Sequence, residues 1–221
     1  MNPGTKRKSP AQISPERLAR ERERLYAMGV FEREFVAFTH ICGVDEAGRG
    51  PLAGPVVAGA VILPKDCEIL FLNDSKKLSP SRRETLYDKI REVSIAWQVG
   101  VVTAARVDEI NILQATYEAM RIAIHKLEVT PDILLCDAVE IPGISIKQVP
   151  IIGGDAKSVS IAAASVMAKV TRDRMMVDYD RLYPGYGFAK HKGYGTQEHI
   201  EKILEMGPCP IHRRSFIRNL G

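Results

Sequence analysis

The stretch Ile41-Cys42-Gly43-Val44-Asp45-Glu46-Ala47-Gly48-Arg49-Gly50-Pro51-Leu52-Ala53-Gly54-Pro55 decides how the rest of the chain is read. It begins as a buried strand, meets two adjacent carboxylates, and runs into a glycine-rich loop that carries one arginine. Two charges interrupting a core strand beside such a loop point to a metal site next to a place where a phosphate or sugar can approach the backbone. Side chains alternate along a strand, so Asp45 and Glu46 converge on one ion only if the strand ends there and the chain bends at Gly48 and Gly50.

Outward from this stretch, Val56 to Leu63 and about Ser94 to Val102 read as further strands, dominated by apolar and β-branched residues. Ser79-Pro80 starts a helix to about Val93, by an N-cap and a proline at the first helical position. A longer helix is expected over about Asp108 to Leu127, then a short buried strand, Ile133 to Asp137, that ends in an acid. A further strand is expected over Ile146 to Ile152. After Gly153-Gly154-Asp155 comes an alanine-rich helix from Val159 to Leu182, whose small residues allow close packing. A Gly- and Lys-rich loop, Gly185 to Gly195, and a helix from Thr196 to Met206 precede the tail Pro208 to Gly221. This pattern is an α/β layer with a mixed sheet.

Toward the N-terminus, residues 1 to about 13 read as a polar tail, and Ser14-Pro15-Glu16 starts an Arg/Glu-dense helix to about Met28. Leu18, Leu25 and Met28 could dock it, and it is treated as a short appendage: residues 1–38 form an extension and 39–221 the main domain. The 221 residues suit one sizeable core. A net charge of +4 permits a nucleic-acid partner without establishing one. Four cysteines without zinc-type spacing imply a reduced compartment, hence a cytoplasmic location. Neither a secretory leader nor a membrane span is expected.

Asp137 is the natural third ligand if its strand lies beside the first, because strand ends at a switch in strand order form the usual crevice. Asp155 would be the fourth, although one Asp in a glycine turn ahead of a helix is by itself more often a cap. Four acids without His or Cys make an oxygen-only site suited to Mg2+ or Mn2+ and not to Zn2+. Gly153 to Ser158 lacks the spacing of a phosphate-binding P-loop.

Gly43-Val44-Asp45-Glu46-Ala47-Gly48-Arg49-Gly50-Pro51 resembles the signature of ribonuclease HII. The resemblance continues in Asn73 to Leu78, Asp137, Gly154 to Ser158, Ala163 to Asp173, His191 to Thr196 and Pro210 to Arg213, spanning about residues 40 to 216. It implies an RNase H-like fold, a mixed five-stranded sheet flanked by helices with a C-terminal helical region, and hydrolysis of RNA paired with DNA. It implies that Asp45, Glu46, Asp137 and Asp155 hold the metals, that Gly48-Arg49-Gly50 senses the ribose 2′-hydroxyl, and that Tyr194 stacks on the sugar beyond an RNA-to-DNA junction. Cutting at single embedded ribonucleotides follows from that. The sister type, ribonuclease HIII, departs at Gly-Arg-Gly and carries an added N-terminal domain.

Two metals about 3.5–4 Å apart can clamp a phosphodiester. With water as attacking group the products are 5′-phosphate and 3′-hydroxyl ends, and the 2′-hydroxyl is left free for recognition. Ser75, Lys76 and Lys192 are candidate substrate contacts, with Lys77, Lys190 and Arg213 further phosphate candidates. His191 and His212 read as surface or capping residues. Asp173 reads as an i,i+4 partner of Lys169. The expected partner is an RNA–DNA hybrid or a ribonucleotide-containing duplex, bound by a monomer. A non-catalytic binder would be expected to lose an acid, and another RNase H-like nuclease or a resolvase would differ in substrate.

Overall fold

The strand that opens the key stretch, β1 (Ile41–Ala47), occupies the middle of a five-stranded sheet in the computed structural model, which describes residues 13–220. On one side it pairs antiparallel with β2 (Val56–Ile62), which pairs antiparallel with β3 (Ala96–Val102). On the other it pairs parallel with β4 (Ile133–Asp137), which pairs parallel with β5 (Lys147–Ile151). The order is therefore β3-β2-β1-β4-β5, with the direction changing at the centre. The N-terminal tail expected over residues 1 to about 13 lies, through residue 12, outside the described residues.

Helices cover both faces. α1 (Pro15–Met28) and α2 (Val30–Glu34) come first, followed by α3 (Pro80–Val93), α4 (Ala104–His125), α5 (Val159–Leu182), α6 (Phe188–His191) and α7 (Gln197–Met206). The caps explain the starts: Ser14, Ser79, Thr103, Ser158 and Thr196 each accept a hydrogen bond from the N–H three residues on. α4 begins earlier than the expected Asp108 because Thr103 caps it, and it kinks at Asn111 (φ 66°), whose side chain re-caps the chain at Leu113 and Gln114. The short helices α2 and α6 had no periodic signal in the sequence.

Period-two alternation sorts the central strands between two cores. Cys42, Val44, Leu134 and Cys136 face α4, joining Ala115, Ala119 and Ala123. Ile41, Ile133 and Leu135 face Ile161 of α5. The alanines of α5 let it lie against the sheet backbone: a Cβ on Gly43 would sit 2.0 Å from the Ser160 carbonyl carbon, and one on Gly59 would sit 2.4 Å from the Ala164 carbonyl oxygen. α1 buries Leu25 and Met28 in the cluster under α3 and α5. Glu32 of α2 accepts from Ser158 Oγ at 2.5 Å and Ser160 N–H at 3.0 Å, so the extension caps the helix that packs under the key strand.

Candidate active site

Register begins the assembly. β1 and β4 are parallel with Val44 opposite Cys136, so Asp45 and Asp137 come next at the same carboxyl edge, on the α5 face. Asp155 enters from the turn that precedes α5, where Gly153 takes a left-handed conformation and the Gly154 N–H donates to Asp137 Oδ1 at 2.7 Å. One carboxylate oxygen from each of Asp45, Asp137 and Asp155 lies within 4.8 Å of the others.

Glu46 is not in that group. The sequence expectation ended the strand at the two acids and bent the chain at Gly48 and Gly50, whereas β1 stays regular through Ala47, with Glu46 paired to Ala58. Alternation therefore turns Glu46 to the other side, where its Oε1 is 3.3 Å from Arg49 and its buried Oε2 has no partner. It flanks the three aspartates and does not converge with them.

Burial drives the electrostatics. It holds the Asp45 carboxyl well above the usual range, with the neighbouring Glu46 and Asp137 adding to the effect and a hydrogen bond from Ser165 opposing it. Asp155 is raised by burial and by Asp74 and Asp137, against Lys76 at 3.6 Å. Glu46 is raised by burial, against Arg49. Cations thus reach the cluster only at its edge. An all-carboxylate donor set, in which Asp45 and Asp155 resist ionisation and one buried Glu46 oxygen is orphaned, fits a hard divalent cation held by Asp45, Asp137 and Asp155 with Glu46 alongside.

The loop after β1 reaches the cluster's rim. Gly48 adopts φ 97°, and a Cβ there would lie 2.2 Å from Arg172 Nε, so only glycine fits. Gly50 is open: the one atom near its missing Cβ is Tyr194 Cε1, at 3.9 Å. Arg49 and Tyr194 are both exposed, and Lys76 is 74% exposed beside Asp155.

Other candidates sit differently. Ser75 is buried, its Oγ 2.8 Å from Ser165 Oγ, so it braces the residue that hydrogen-bonds Asp45. Lys192 is half-buried, with its ammonium on the Ala189 carbonyl. Lys190 pairs with Glu198 at 2.5 Å, and Lys77 lies 3.8 Å from Asp74. Arg213, expected at a phosphate, is fully buried and donates to four backbone carbonyls. Asp173 pairs with Lys169 at 2.7 Å as expected, and also meets Arg83.

His191 and His212 are buried and not on the surface, and the sequence reading passed over His199. Cys209 N–H donates to His212 Nδ1 at 2.9 Å, the two Nε2 atoms of His212 and His199 are 3.0 Å apart, and His199 Nδ1 is 2.9 Å from the Tyr194 carbonyl. Those partners fix the tautomers: His199 Nδ1–H donates to Tyr194 and His212 Nε2–H donates to His199. Burial pulls His212 down to about 4 and lowers His199 as well, so the run stays neutral and braces the Tyr194 loop.

The comparisons agree with this geometry. The family model for ribonuclease HII matches residues 42–219. Ribonuclease HII of Lachnoclostridium phytofermentans is 62% identical over 205 residues, covering 93% of this chain and 81% of that protein. That of Ruminiclostridium cellulolyticum is 56% identical over 202 residues, covering 90% and 79%. The crystal structure of ribonuclease H2 from Pyrococcus horikoshii OT3 superposes with a TM-score of 0.69 at 29% identity, covering 82% of this chain and 96% of that one. A mixed five-stranded sheet of RNase H-like topology, a carboxylate cluster at its central edge and a family match over residues 42–219 lead to one conclusion: the chain belongs to the ribonuclease HII family of endonucleases.

Proposed function

We propose that this protein hydrolyses the RNA strand of RNA–DNA hybrids and cuts at single ribonucleotides embedded in duplex DNA, leaving 5′-phosphate and 3′-hydroxyl ends. One observation carries the reading: three aspartate oxygens within 4.8 Å lie beside a loop whose Gly50 stands next to an exposed tyrosine ring. Mg2+ or Mn2+ bound there in a pair would supply charge stabilisation at the scissile phosphate and activation of water.

The chain's own residues do the rest. Asp45, Asp137 and Asp155 hold the cation charge at the sheet edge, and Glu46 adds a carboxylate on the opposite side of β1. Lys76 and Arg49 present positive charge to a phosphate backbone at the same rim. The Gly48–Gly50 backbone reads the 2′-hydroxyl, the group that separates RNA from DNA, and Tyr194 supplies a stacking face for the next sugar. Residues 39–221 carry this activity and 1–38 are an extension of it. The protein works as a monomer in the cytoplasm; no helix among the described residues is long and apolar enough to cross a membrane.

Duplexes carrying no, one and four consecutive ribonucleotides test the substrate. The expected result is cleavage of the second and third, with 3′-hydroxyl ends, and none of the all-DNA duplex. Cutting of all-DNA at a comparable rate would overturn the assignment.

A further inference from the structure

Arg172 and Arg213 are the two largest fully buried side chains of the described residues, and neither has a carboxylate hydrogen-bond partner. A buried guanidinium without a counter-ion persists only if its donors are filled. Here backbone carbonyls fill them. Arg213 donates to the carbonyls of Gly48 (2.5 Å), Arg49 (2.9 Å), Pro51 (2.9 Å) and Gly54 (3.1 Å). Arg172 donates to Pro55 (2.9 Å), Ala53 (3.0 Å) and Lys192 (2.9 Å), so it joins this loop to the one that carries Tyr194.

Peptide geometry gives these contacts a consequence. In a trans peptide the carbonyl of one residue and the N–H of the next point in opposite directions. With the Gly48 and Arg49 carbonyls drawn onto Arg213, the N–H groups of Arg49 and Gly50 must face away from it. Among the described residues neither N–H has a hydrogen-bond partner, and both residues are exposed. The same rule holds one step on, where the Pro51 carbonyl also meets Arg213: the Leu52 N–H points outward and donates to the Gly193 carbonyl at 2.8 Å. One peptide after another is thus oriented by the buried cation, and the two that no protein group satisfies lead into Gly50, the residue beside the Tyr194 ring.

We infer that Arg213 is a positioning residue for sugar selectivity: it fixes the Gly48–Arg49 and Arg49–Gly50 peptides so that two amide N–H groups are presented to a ribose 2′-hydroxyl, while Arg172 locks that loop to the Tyr194 loop. This rests on the reading of Gly48–Gly50 as the ribose sensor. Lysine at position 213 keeps the charge but offers three donors from one atom in place of a planar fork, so it cannot hold four spread carbonyls at once.

The test compares wild type with Arg213→Lys, measuring binding to a duplex with one ribonucleotide and to its all-DNA counterpart in Ca2+, with Mn2+ affinity and thermal unfolding alongside. Wild type should favour the ribonucleotide duplex; Arg213→Lys should lose that preference at least tenfold while Mn2+ affinity and all-DNA binding change less than threefold. Equal weakening on both duplexes, or a preference kept by the folded variant, would overturn the inference. If Arg213→Lys does not fold, the wild-type amides decide. The Arg49 and Gly50 N–H resonances should shift and gain exchange protection with the ribonucleotide duplex and not with all-DNA; no difference between duplexes refutes the proposal. A wild type without any ribonucleotide preference would instead refute the substrate reading on which it rests.

Discussion

Asp45→Asn should abolish cleavage and at the same time make the ion-free protein more stable. Asp45 is 3% exposed, its oxygen lies in the three-aspartate cluster, and burial together with Glu46 and Asp137 resists its ionisation. Loss of about three orders of magnitude in rate, equivalent to roughly 4 kcal/mol of barrier, is expected in Mg2+. The stability effect has a definite sign. A carboxyl whose pKa is raised in the fold binds its proton more tightly there than in the unfolded chain, so stability falls as pH rises from about 4 through the raised value. Asparagine has no such proton to lose. Thermal unfolding in chelator should therefore give near-equal melting temperatures for the two proteins below about pH 4, with the variant the more stable at pH 7.5 by several degrees, where about 1 kcal/mol corresponds to about 2–4 °C in a domain of this size. Adding Mn2+ should reverse the order, because the ion stabilises whichever fold binds it. A variant less stable than wild type at pH 7.5 in chelator would contradict this electrostatic account.

Gly43→Ala should unfold the protein or come close to it. Alanine ordinarily improves a strand by about 0.5–1 kcal/mol relative to glycine, so propensity alone gives the opposite sign. Gly43 lies on the α5 face of β1, and the added Cβ would be 2.0 Å from the Ser160 carbonyl carbon, 2.2 Å from its oxygen and 2.3 Å from the Ile161 nitrogen. All three are backbone atoms of α5, so no rotamer change relieves the overlap and the helix must move off the sheet. A loss of more than about 4 kcal/mol is expected, a large share of a typical domain's stability. Urea denaturation measures it. A loss below about 1 kcal/mol would mean that α5 does not sit this close to β1.

How far the sequence revealed these features depends on the range of the interactions concerned. Caps are local, so Ser14 and Ser79 marked their helices, and the apolar run Ile133 to Cys136 marked β4. Asp45 and Asp137 were legible because an acid at the end of an apolar strand violates the pattern around it. The side to which Glu46 points was not legible, because β1 continues one residue past it and alternation turns it away from the aspartates.

Burial by distant chain was not legible. Arg213 and His212 lie in a polar C-terminal tail whose composition suggests solvent, yet that tail folds over the Gly48–Pro55 loop, with the Arg213 N–H on the Leu52 carbonyl at 2.8 Å and the Gly54 N–H on Ile211 at 2.8 Å. Arg172 likewise reads as one more charge on a long helix. The hydrogen bond of Ser75 to Ser165, ninety residues on, was equally out of reach of local pattern.

The most direct test of the metal centre is a crystal of the full chain soaked in Mn2+, with anomalous scattering recorded at the manganese edge. The account predicts an anomalous peak among the carboxylate oxygens of Asp45, Asp137 and Asp155, lost in Asp45→Asn crystals soaked identically. Absence of a peak there, under conditions in which the dissolved crystals cleave an RNA–DNA hybrid in Mn2+, would contradict it.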